Sequence, residues 1–222
     1  MTEPNIIITA GGVGKRMGTE LPKQFLLLGE LPILMHTITR FNQFSPNAQL
    51  ILTLPLEWIE EWKGMCEKHN FRVEHLIVAG GKERFHSVKN AIAQCEREVV
   101  FIHDGVRPLV SKRTFQNGLD ALKAHVAAIP VLPIFESLRK IDGEMNHAVN
   151  RNEFTVVQTP QCFRKKELVA AYEQEFSADF TDDASVLEAA GEKIHLFEGN
   201  VENIKITQQS DLALAEFYMS KV

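Results

Sequence analysis

Lys15, Arg16 and Lys23 follow a glycine-rich turn near the start of the chain. Glycines lack side chains, so a charged oxygen can approach the backbone N–H groups closely, and nearby cations stabilise its charge. This chemistry suits a phosphate group. The candidates for gripping phosphate are Ala10, Gly11, Gly12, Gly14, Arg16 and Lys23.

Neither of two common phosphate-binding loops fits these residues. The P-loop needs a glycine five residues before its Gly-Lys pair and a hydroxyl directly after it, but Thr9 and Arg16 occupy those positions. The dinucleotide-binding loop needs a small third residue where Met17 stands. A surface turn with solvated charges remains the alternative for this loop taken alone.

A second glycine turn carries further candidates. Gly80 and Gly81 follow a short apolar segment, and Arg84 and Ser87 come just behind them. A strand that ends in two glycines and leads into a helix presents free N–H groups and the positive end of the helix dipole. Two such turns at one sheet edge indicate an anion site.

Asp104 directly follows another apolar segment, with Gly105 and Arg107 behind it. A carboxylate at the end of a central strand is well placed to hold Mg²⁺ or its water. The alternative is that Asp104 caps the turn or pairs with Arg107.

Alternating apolar strands and helices are predicted to position these turns. The pattern indicates an α/β fold with a doubly wound, mostly parallel sheet and ligands at the carboxyl ends of its strands. The predicted strands are 6–8, 49–54, 76–79, 99–102, 127–131 and 203–207. The predicted helices are 32–44, one from 55, 88–95, 114–125, 166–176, 183–190 and one to 219 capped by Ser210.

The alternation stops in residues 133–159, where no helical period is found. A turn at Asp142-Gly143 between two β-rich segments predicts a hairpin that projects from the sheet as an arm. An arm that cannot bury its own apolar side chains often packs on a second subunit. Lys205 stands inside the last predicted strand, where a cation is costly unless it meets an anion.

Length and composition set further bounds. A chain of 222 residues is expected to form one domain over residues 1–222, and its net charge of −5 argues against a nucleic-acid surface. The odd number of cysteines, three, forms no C-x-x-C pair, which predicts reduced thiols and a cytoplasmic protein. No long apolar run predicts a membrane segment or a signal peptide.

The motifs together resemble a known family. A-G-G-x-G-x-R-M with a downstream P-K-Q, then G-G-x-x-R-x-x-S, H-D-G-V-R-P, V-N-R-N, T-D-D-A-S and N-I-K-I-T follow one another along nearly the whole chain. In this order they resemble the sugar-phosphate nucleotidyltransferases, with their Rossmann-like fold, and especially the 2-C-methyl-D-erythritol 4-phosphate cytidylyltransferases. That resemblance implies transfer of a cytidylyl group from CTP to this sugar-alcohol phosphate, with release of pyrophosphate, in non-mevalonate isoprenoid synthesis.

The resemblance also implies roles for single residues, with Mg²⁺ as cofactor and a homodimer formed through the arm. Arg16, Lys23, Arg151 and Lys205 are the expected catalytic residues. Nucleotide contacts are expected from Ala10, Gly11, Gly12, Gly14, Gly81, Arg84, Ser87 and Gly105. Acceptor contacts are expected from Asp104, which is also the metal ligand, and from Arg107, Ser137 and Thr181. Thr181 or Asp182 is also a candidate helix cap.

The chain departs from the family pattern at a few positions. Gly105-Val106 replaces two alanines, and Glu136-Ser137 replaces D-T, where Ser137 keeps a hydroxyl for the acceptor phosphate. Ribitol 5-phosphate cytidylyltransferases share nearly all the motifs and are the alternative enzyme class. A non-catalytic CTP-binding module is an alternative of another kind, and it would be expected to lack at least one phosphate-gripping cation.

Overall fold

The computed structural model describes residues 3–12 and 21–221. Twelve strands lie within these ranges: β1 (Asn5–Thr9), β2 (Leu27–Leu28), β3 (Leu31–Pro32), β4 (Gln49–Leu54), β5 (Leu76–Ala79), β6 (Val99–Asp104), β7 (Ala127–Pro133), β8 (Leu138–Asp142), β9 (Met145–Val149), β10 (Thr155–Val157), β11 (Gln161–Arg164) and β12 (Ile194–Glu198). The helices there are α1 (Ile33–Phe44), α2 (Ile59–Lys68), α3 (Arg84–Ile92), α4 (Lys112–Ala121), α5 (Lys165–Ala171), α6 (Asp183–Ala189) and α7 (Gln209–Met219).

Eight strands form the central sheet, in the order β10-β7-β11-β6-β1-β4-β5, with β12 also paired to β7. β6, β1, β4 and β5 run parallel, which confirms the predicted mostly parallel, doubly wound α/β fold. In this register Thr9 lies opposite both Thr53 and Asp104. The carboxyl ends of three neighbouring strands therefore meet at one edge.

Both faces of this sheet are buried. Ile6 and Ile8 face a core cluster that includes residues of α1, α2 and α4, whereas Ile7 faces a second cluster with residues of α3, α5 and α6. Successive side chains of a strand point to opposite faces, so a continuous apolar run is what a doubly covered strand requires. Trp62 on α2 is fully buried in the first cluster.

Two strands of the sheet were not predicted. β11 is antiparallel and lies between β6 and β7, and β12 pairs in parallel with β7. β11 has only four residues, too few to show a strand period next to Pro160. β12 is only partly buried, so its apolar pattern is weak.

Two predictions about the last segment were wrong. Residues 203–207 contain no strand, because their backbone pairs with a loop: the Ile206 N–H donates to the Val106 carbonyl at 3.0 Å. The cap of α7 is Gln208 rather than Ser210, since the side chains of Gln208 and Asp211 each meet the other's backbone.

Other boundaries also differ, and α4 and α5 end at Ala121 and Ala171, earlier than the predicted 125 and 176. α3 begins at Arg84, earlier than predicted, so Arg84 and Ser87 both lie on it. The predicted hairpin is present but shorter than the predicted arm, since β8 pairs only with β9. β10 instead joins the main sheet beside β7, which returns the chain to the body of the protein. Among the described residues, no helix is long and apolar enough to cross a membrane.

Two helical glycines differ in their surroundings and give a matched test of the core. A Cβ built on Gly118 in α4 would lie 2.6 Å from the Cys162 sulfur and 3.1 Å from the Phe101 ring, whereas one on Gly64 in α2 meets nothing within 4 Å. Gly64→Ala should therefore stabilise the protein by about 0.5–1 kcal/mol, the difference in helix propensity. Gly118→Ala should destabilise it by about 1–3 kcal/mol through overpacking. Urea unfolding of both variants measures the two changes, and a stabilised Gly118→Ala variant would contradict the packing described.

Candidate active site

A cavity of about 360 Å³ opens at the edge of the sheet where β1, β4, β5 and β6 end. Its wall combines the first glycine loop, the second glycine turn and the end of β6, as the sequence predicted. The predicted site residues that line it are Ala10, Gly11, Gly12, Lys23, Gly81, Arg84, Ser87, Asp104 and Lys205. Gly14 and Arg16 lie outside the described residues.

Five predicted site residues do not line this cavity. Arg107 lies directly behind it, bonded to Asp104. Ser137, Arg151 and Thr181 are exposed on other parts of the surface. Gly105 is turned away, because its N–H donates to the Thr9 carbonyl at 2.8 Å and its carbonyl accepts from the Thr37 hydroxyl at 2.9 Å.

The first loop is held by the short 3₁₀ turn Lys23–Phe25 that follows it. The Gln24 side-chain amide donates to the Ala10 carbonyl at 2.7 Å. Phe25 stacks on Trp62 in the core, with ring centroids 5.9 Å apart. Lys23 is thereby fixed beside the loop, and its Cε would lie 3.5 Å from a Cβ on Gly12.

The second turn needs glycine for a steric reason. A Cβ on Gly81 would lie 2.3 Å from the Cβ of His86, because α3 begins immediately behind the turn. The Gly81 N–H donates to the Ser87 hydroxyl at 3.0 Å, and that hydroxyl donates to the Glu83 carbonyl at 3.2 Å. Ser87 therefore closes the turn against the first turn of α3.

Arg84 is held at the cavity wall by a buried carboxylate that sequence reasoning treated only as the start of a helix. Its guanidinium donates to both oxygens of Asp183, at 2.7 and 2.6 Å, and the Tyr172 hydroxyl donates to Asp183 at 2.6 Å. Burial opposes the charge of Arg84, but the attraction and hydrogen bonds of Asp183 outweigh this and raise the pKa of Arg84. Arg84 therefore stays charged.

Asp104 is a buried carboxylate that pairs with two cations at the cavity. Its Oδ2 lies 3.1 Å from the Lys205 ammonium and 3.2 Å from Nε of Arg107. Burial would raise the pKa of this carboxyl, but Lys205, then Arg84 and Arg107, hold the pKa well below its usual range. Asp104 is therefore ionised at neutral pH. It is also the anion that the sequence led us to expect beside Lys205.

The side chains of the cavity could hold a metal ion only together with a bound phosphate compound that completes its coordination shell. No group of three or more His, Cys, Asp or Glu side chains within the described ranges forms a metal site. Asp104 supplies one ionised carboxylate, and both of its ion pairs use Oδ2. Mg²⁺ typically takes one or two carboxylates and completes its shell with water and phosphate oxygens, so this arrangement fits Mg²⁺ bound with a polyphosphate.

His103 is a neutral, structural group beside Asp104. It is fully buried; its Nε2–H donates to the Arg107 carbonyl at 2.9 Å, and its Nδ1 accepts from the Thr159 hydroxyl at 2.9 Å. The same hydroxyl accepts from the Asp104 N–H at 3.1 Å. Burial lowers the pKa of His103 to about 4. The ring therefore orients the backbone on both sides of the carboxylate.

The departure from two alanines after Asp104 has a packing explanation. A Cβ on Gly105 would lie 3.0 Å from the Leu34 side chain and 3.1 Å from the Thr9 carbonyl. Val106 is buried in a third apolar cluster with Leu28 and Ile206. The smaller residue thus leaves room for Leu34, and the larger one packs on the segment that carries Lys205.

Sequence reasoning missed several residues that build the site. Thr53, Leu54 and Pro55 line the cavity at the end of β4, and the parallel order of β1 and β4 was the signal that could have indicated them. Asp183 and Asn203 lie behind the wall. Both residues lie within quoted motifs, T-D-D-A-S and N-I-K-I-T, but their partners are distant in sequence, so spacing alone does not reveal their roles.

The pKa of His103 predicts acid instability. The unfolded chain binds a proton near pH 6.5 that the folded protein binds only near pH 4, so stability falls as the pH drops between these values, by up to about 3 kcal/mol. His103→Gln keeps a donor for the Arg107 carbonyl but does not titrate. Urea unfolding between pH 4.5 and 7 should therefore show a shallower pH dependence for this variant, and identical slopes would contradict a neutral buried His103.

Comparisons with known proteins point to one family. The sequence model of the family described as "IspD: 2-C-methyl-D-erythritol 4-phosphate cytidylyltransferase" matches residues 5–221. A protein of that name from Bacteroides thetaiotaomicron is 48% identical over 95% of this chain and 96% of its own, and one from Syntrophus aciditrophicus is 35% identical over 97% and 95%.

Solved structures show the same likeness. The crystal structure of 2-C-methyl-D-erythritol 4-phosphate cytidylyltransferase from Thermus thermophilus superposes with a TM-score of 0.80 and 30% identity, over 99% of this chain and 100% of that one. The bifunctional IspDF from Campylobacter jejuni superposes with a TM-score of 0.82 and 30% identity, over 96% of this chain and 54% of that one. The chain belongs to the 2-C-methyl-D-erythritol 4-phosphate cytidylyltransferase family.

Proposed function

We propose that this protein transfers a cytidylyl group from CTP to 2-C-methyl-D-erythritol 4-phosphate, giving 4-diphosphocytidyl-2-C-methyl-D-erythritol and pyrophosphate. The observation that carries the proposal is the cavity itself, in which Lys23, Arg84 and Lys205 line the same wall as the ionised Asp104. An acceptor phosphate oxygen attacks the α-phosphorus in line, and the bond to the pyrophosphate leaving group breaks. The family relationship supports both substrates and a place in isoprenoid precursor synthesis.

The two substrates are both polyanions, so their repulsion is a large part of the barrier. Fixed cations that face the developing charge offset this repulsion without reorganising during the reaction. Lys23 beside the first glycine loop is proposed to grip the triphosphate together with Arg16. The nucleotide contacts fall to the backbone of Ala10, Gly11, Gly12 and Gly14, and to the turn of Gly81, Arg84 and Ser87.

No catalytic base is needed in this proposal. A phosphomonoester loses its second proton near pH 6, approximately, so the nucleophile is already ionised at neutral pH. The structure supports this view, because His103 is enclosed by its own hydrogen bonds. Burial also raises the pKa of Cys66 to about 11 and that of Cys95 to about 12, so neither thiol is an activated nucleophile.

Asp104 is the proposed ligand of Mg²⁺. When bound there, Mg²⁺ would supply positive charge that stabilises the charge on the phosphate groups. The protein's own contribution is to keep this carboxylate ionised and in place, through Lys205 and Arg107.

The acceptor site is proposed to need a second subunit. Arg151, Ser137 and Thr181 lie outside the cavity, and Arg151 instead donates to the Phe135 carbonyl on the arm side. Apolar side chains on or beside the arm are exposed, with Phe135 at 73%, Ile141 at 76% and Met145 at 72%. Burying them against a second copy would form a homodimer and bring Arg151 and Ser137 to the partner's Lys205 and Arg107.

A reducing, cytoplasmic setting is part of the proposal. Its support is that Cys66, Cys95 and Cys162 are all free thiols.

Pyrophosphate release tests the reaction. Protein, CTP and Mg²⁺ are mixed with 2-C-methyl-D-erythritol 4-phosphate or, in a parallel reaction, with ribitol 5-phosphate. We expect release with the first acceptor and at least about a hundredfold lower kcat/KM with the second, since the acceptor pocket must recognise the sugar chain. Preference for ribitol 5-phosphate would identify the alternative enzyme class. CTP binding without release from either acceptor would indicate a non-catalytic module.

Subunit mixing tests the shared acceptor site. Arg151→Ala and Lys205→Ala should each reduce activity at least about a hundredfold, because each removes a charge that faces the acceptor phosphate. If Arg151 serves the partner's site, co-refolding the two variants at equal amounts should restore about a quarter of wild-type activity, since half the dimers then hold one intact site. No restoration in verified mixed dimers would contradict a site that spans two subunits.

Substitution of Asp183 tests the nucleotide side. Asp183→Asn removes the charge that holds Arg84, so we expect the KM for CTP to rise about tenfold or more while the KM for the acceptor changes little. Asp183→Glu keeps the charge, so it serves as the control and should retain CTP affinity within about threefold. A parallel change in both KM values would contradict the assignment of Arg84 to the nucleotide.

A further inference from the structure

Lys205 is held in place although it does not belong to a strand. The segment before it passes through Asn203, whose side chain is fully buried. After it, the Ile206 N–H donates to the Val106 carbonyl at 3.0 Å, and the Ile206 side chain is buried in the third apolar cluster. Lys205 therefore lies in a short segment that is anchored on one side by Asn203 and on the other by Ile206.

Asn203 contacts both Arg107 and the base of the arm, which is the pair Gln158 and Thr159 at the end of residues 133–159. Its side-chain amide donates to the Thr159 carbonyl at 2.7 Å. Its own carbonyl accepts from the Arg107 guanidinium at 2.8 Å and from the Gln158 amide at 3.2 Å. Gln158 and Thr159 directly follow β10, where the chain returns from the arm to the sheet.

Gln158 strengthens the same connection. Its amide also donates to the Asn200 carbonyl at 3.0 Å, and its oxygen accepts from the Asn200 N–H at 3.3 Å. A Cβ on Gly199 would overlap that oxygen, so the turn passes close to the Gln158 side chain. The turn before Lys205 is thus bonded to the base of the arm through two side chains, those of Gln158 and Asn203.

We propose that Asn203 is a positioning residue for the acceptor half of the site, and that Asn203 and Gln158 form a clasp by which the base of the arm sets Lys205 and Arg107 against Asp104. The clasp touches no substrate. It rests on the proposed function, in which Lys205 and Arg107 hold the acceptor phosphate. A shift of about an ångström in such cations is enough to lower the rate by about a hundredfold.

The chemistry of Asn203 agrees with this role. Its side-chain oxygen is buried and has no partner among the described residues, so the amide acts through its N–H donor and its backbone. Asn203→Asp has the same shape but replaces that donor by an acceptor facing the Thr159 carbonyl, and Asn203→Leu removes the polar groups. Gln158→Met removes the other half of the clasp at similar length.

The test is steady-state kinetics of the dimeric enzyme with each substrate varied in turn. We expect Asn203→Asp, Asn203→Leu and Gln158→Met to raise the KM for 2-C-methyl-D-erythritol 4-phosphate by about tenfold or more and to change the KM for CTP less than about threefold. Gly64→Ala, at an exposed position of α2 where a Cβ meets nothing within 4 Å, is the control and should leave both KM values unchanged. Equal changes for the two substrates, or none in a folded variant, would overturn the proposal.

Calorimetry separates this proposal from the proposed function. The wild-type protein should bind 2-C-methyl-D-erythritol 4-phosphate together with a non-hydrolysable CTP analogue, and the clasp variants should bind the analogue alone with unchanged affinity but the acceptor about tenfold more weakly. A wild-type protein that binds neither ligand would contradict the proposed function. Variants that bind both ligands as tightly as the wild type does would overturn the clasp alone.

Discussion

The contact of Asp104 with Lys205 and Arg107 is the interaction on which the site depends. A carboxylate this well buried is costly to ionise alone, and two cations on a single oxygen make the charge stable. In the proposed function, the same arrangement holds two cations where the anionic substrates meet. Asp104 therefore orders these two cations in the absence of any ligand, and it is the residue proposed to hold the metal ion.

The fold supplies this arrangement through the register of its parallel strands. Thr9, Thr53 and Asp104 are aligned at one edge, so the loops that follow β1, β4 and β6 must share one cavity. Buried polar side chains then set the angles of those loops: Gln24 for the first loop, Asp183 for Arg84, and His103 for the turn around Asp104. The sheet brings the residues together, and these hydrogen bonds determine where each charge points.

Sequence reasoning predicted the α/β fold and most of the cavity wall because those features are local. Apolar runs reveal strands, and glycines with cations directly behind them reveal anion-binding turns. It failed where the determinant is distant in sequence. The segment of Lys205 looked like a strand because Ile204 and Ile206 are apolar, yet Ile206 packs on Val106 and Leu28 in the third cluster rather than in a sheet. Asp183 and Asn203 could not be identified, because their roles depend on partners such as Arg84, Thr159 and Arg107.

Under the proposed function, the cavity of a single chain lacks two of the expected acceptor contacts, Arg151 and Ser137. Arg151 and Ser137 carry chemistry that suits a phosphate, but they lie on the exposed arm side, away from the cavity. The proposed homodimer would account both for the exposed apolar side chains of the arm and for the distance of Arg151 and Ser137 from the cavity. The family motifs indicated these residues, whereas only the three-dimensional structure shows that they are separate from Lys205.

The central claim is that Lys205 and Arg107 keep Asp104 ionised and thereby assemble the site, and the titration of Asp104 tests it most directly. Carbon-detected NMR can follow the Asp104 carboxyl in the wild-type protein and in Lys205→Met as the pH is lowered. The account predicts that the wild-type carboxyl titrates well below the usual range for aspartate and that its midpoint rises clearly in the variant. An ordinary aspartate midpoint in the wild type, or an unchanged midpoint in the variant, would contradict it.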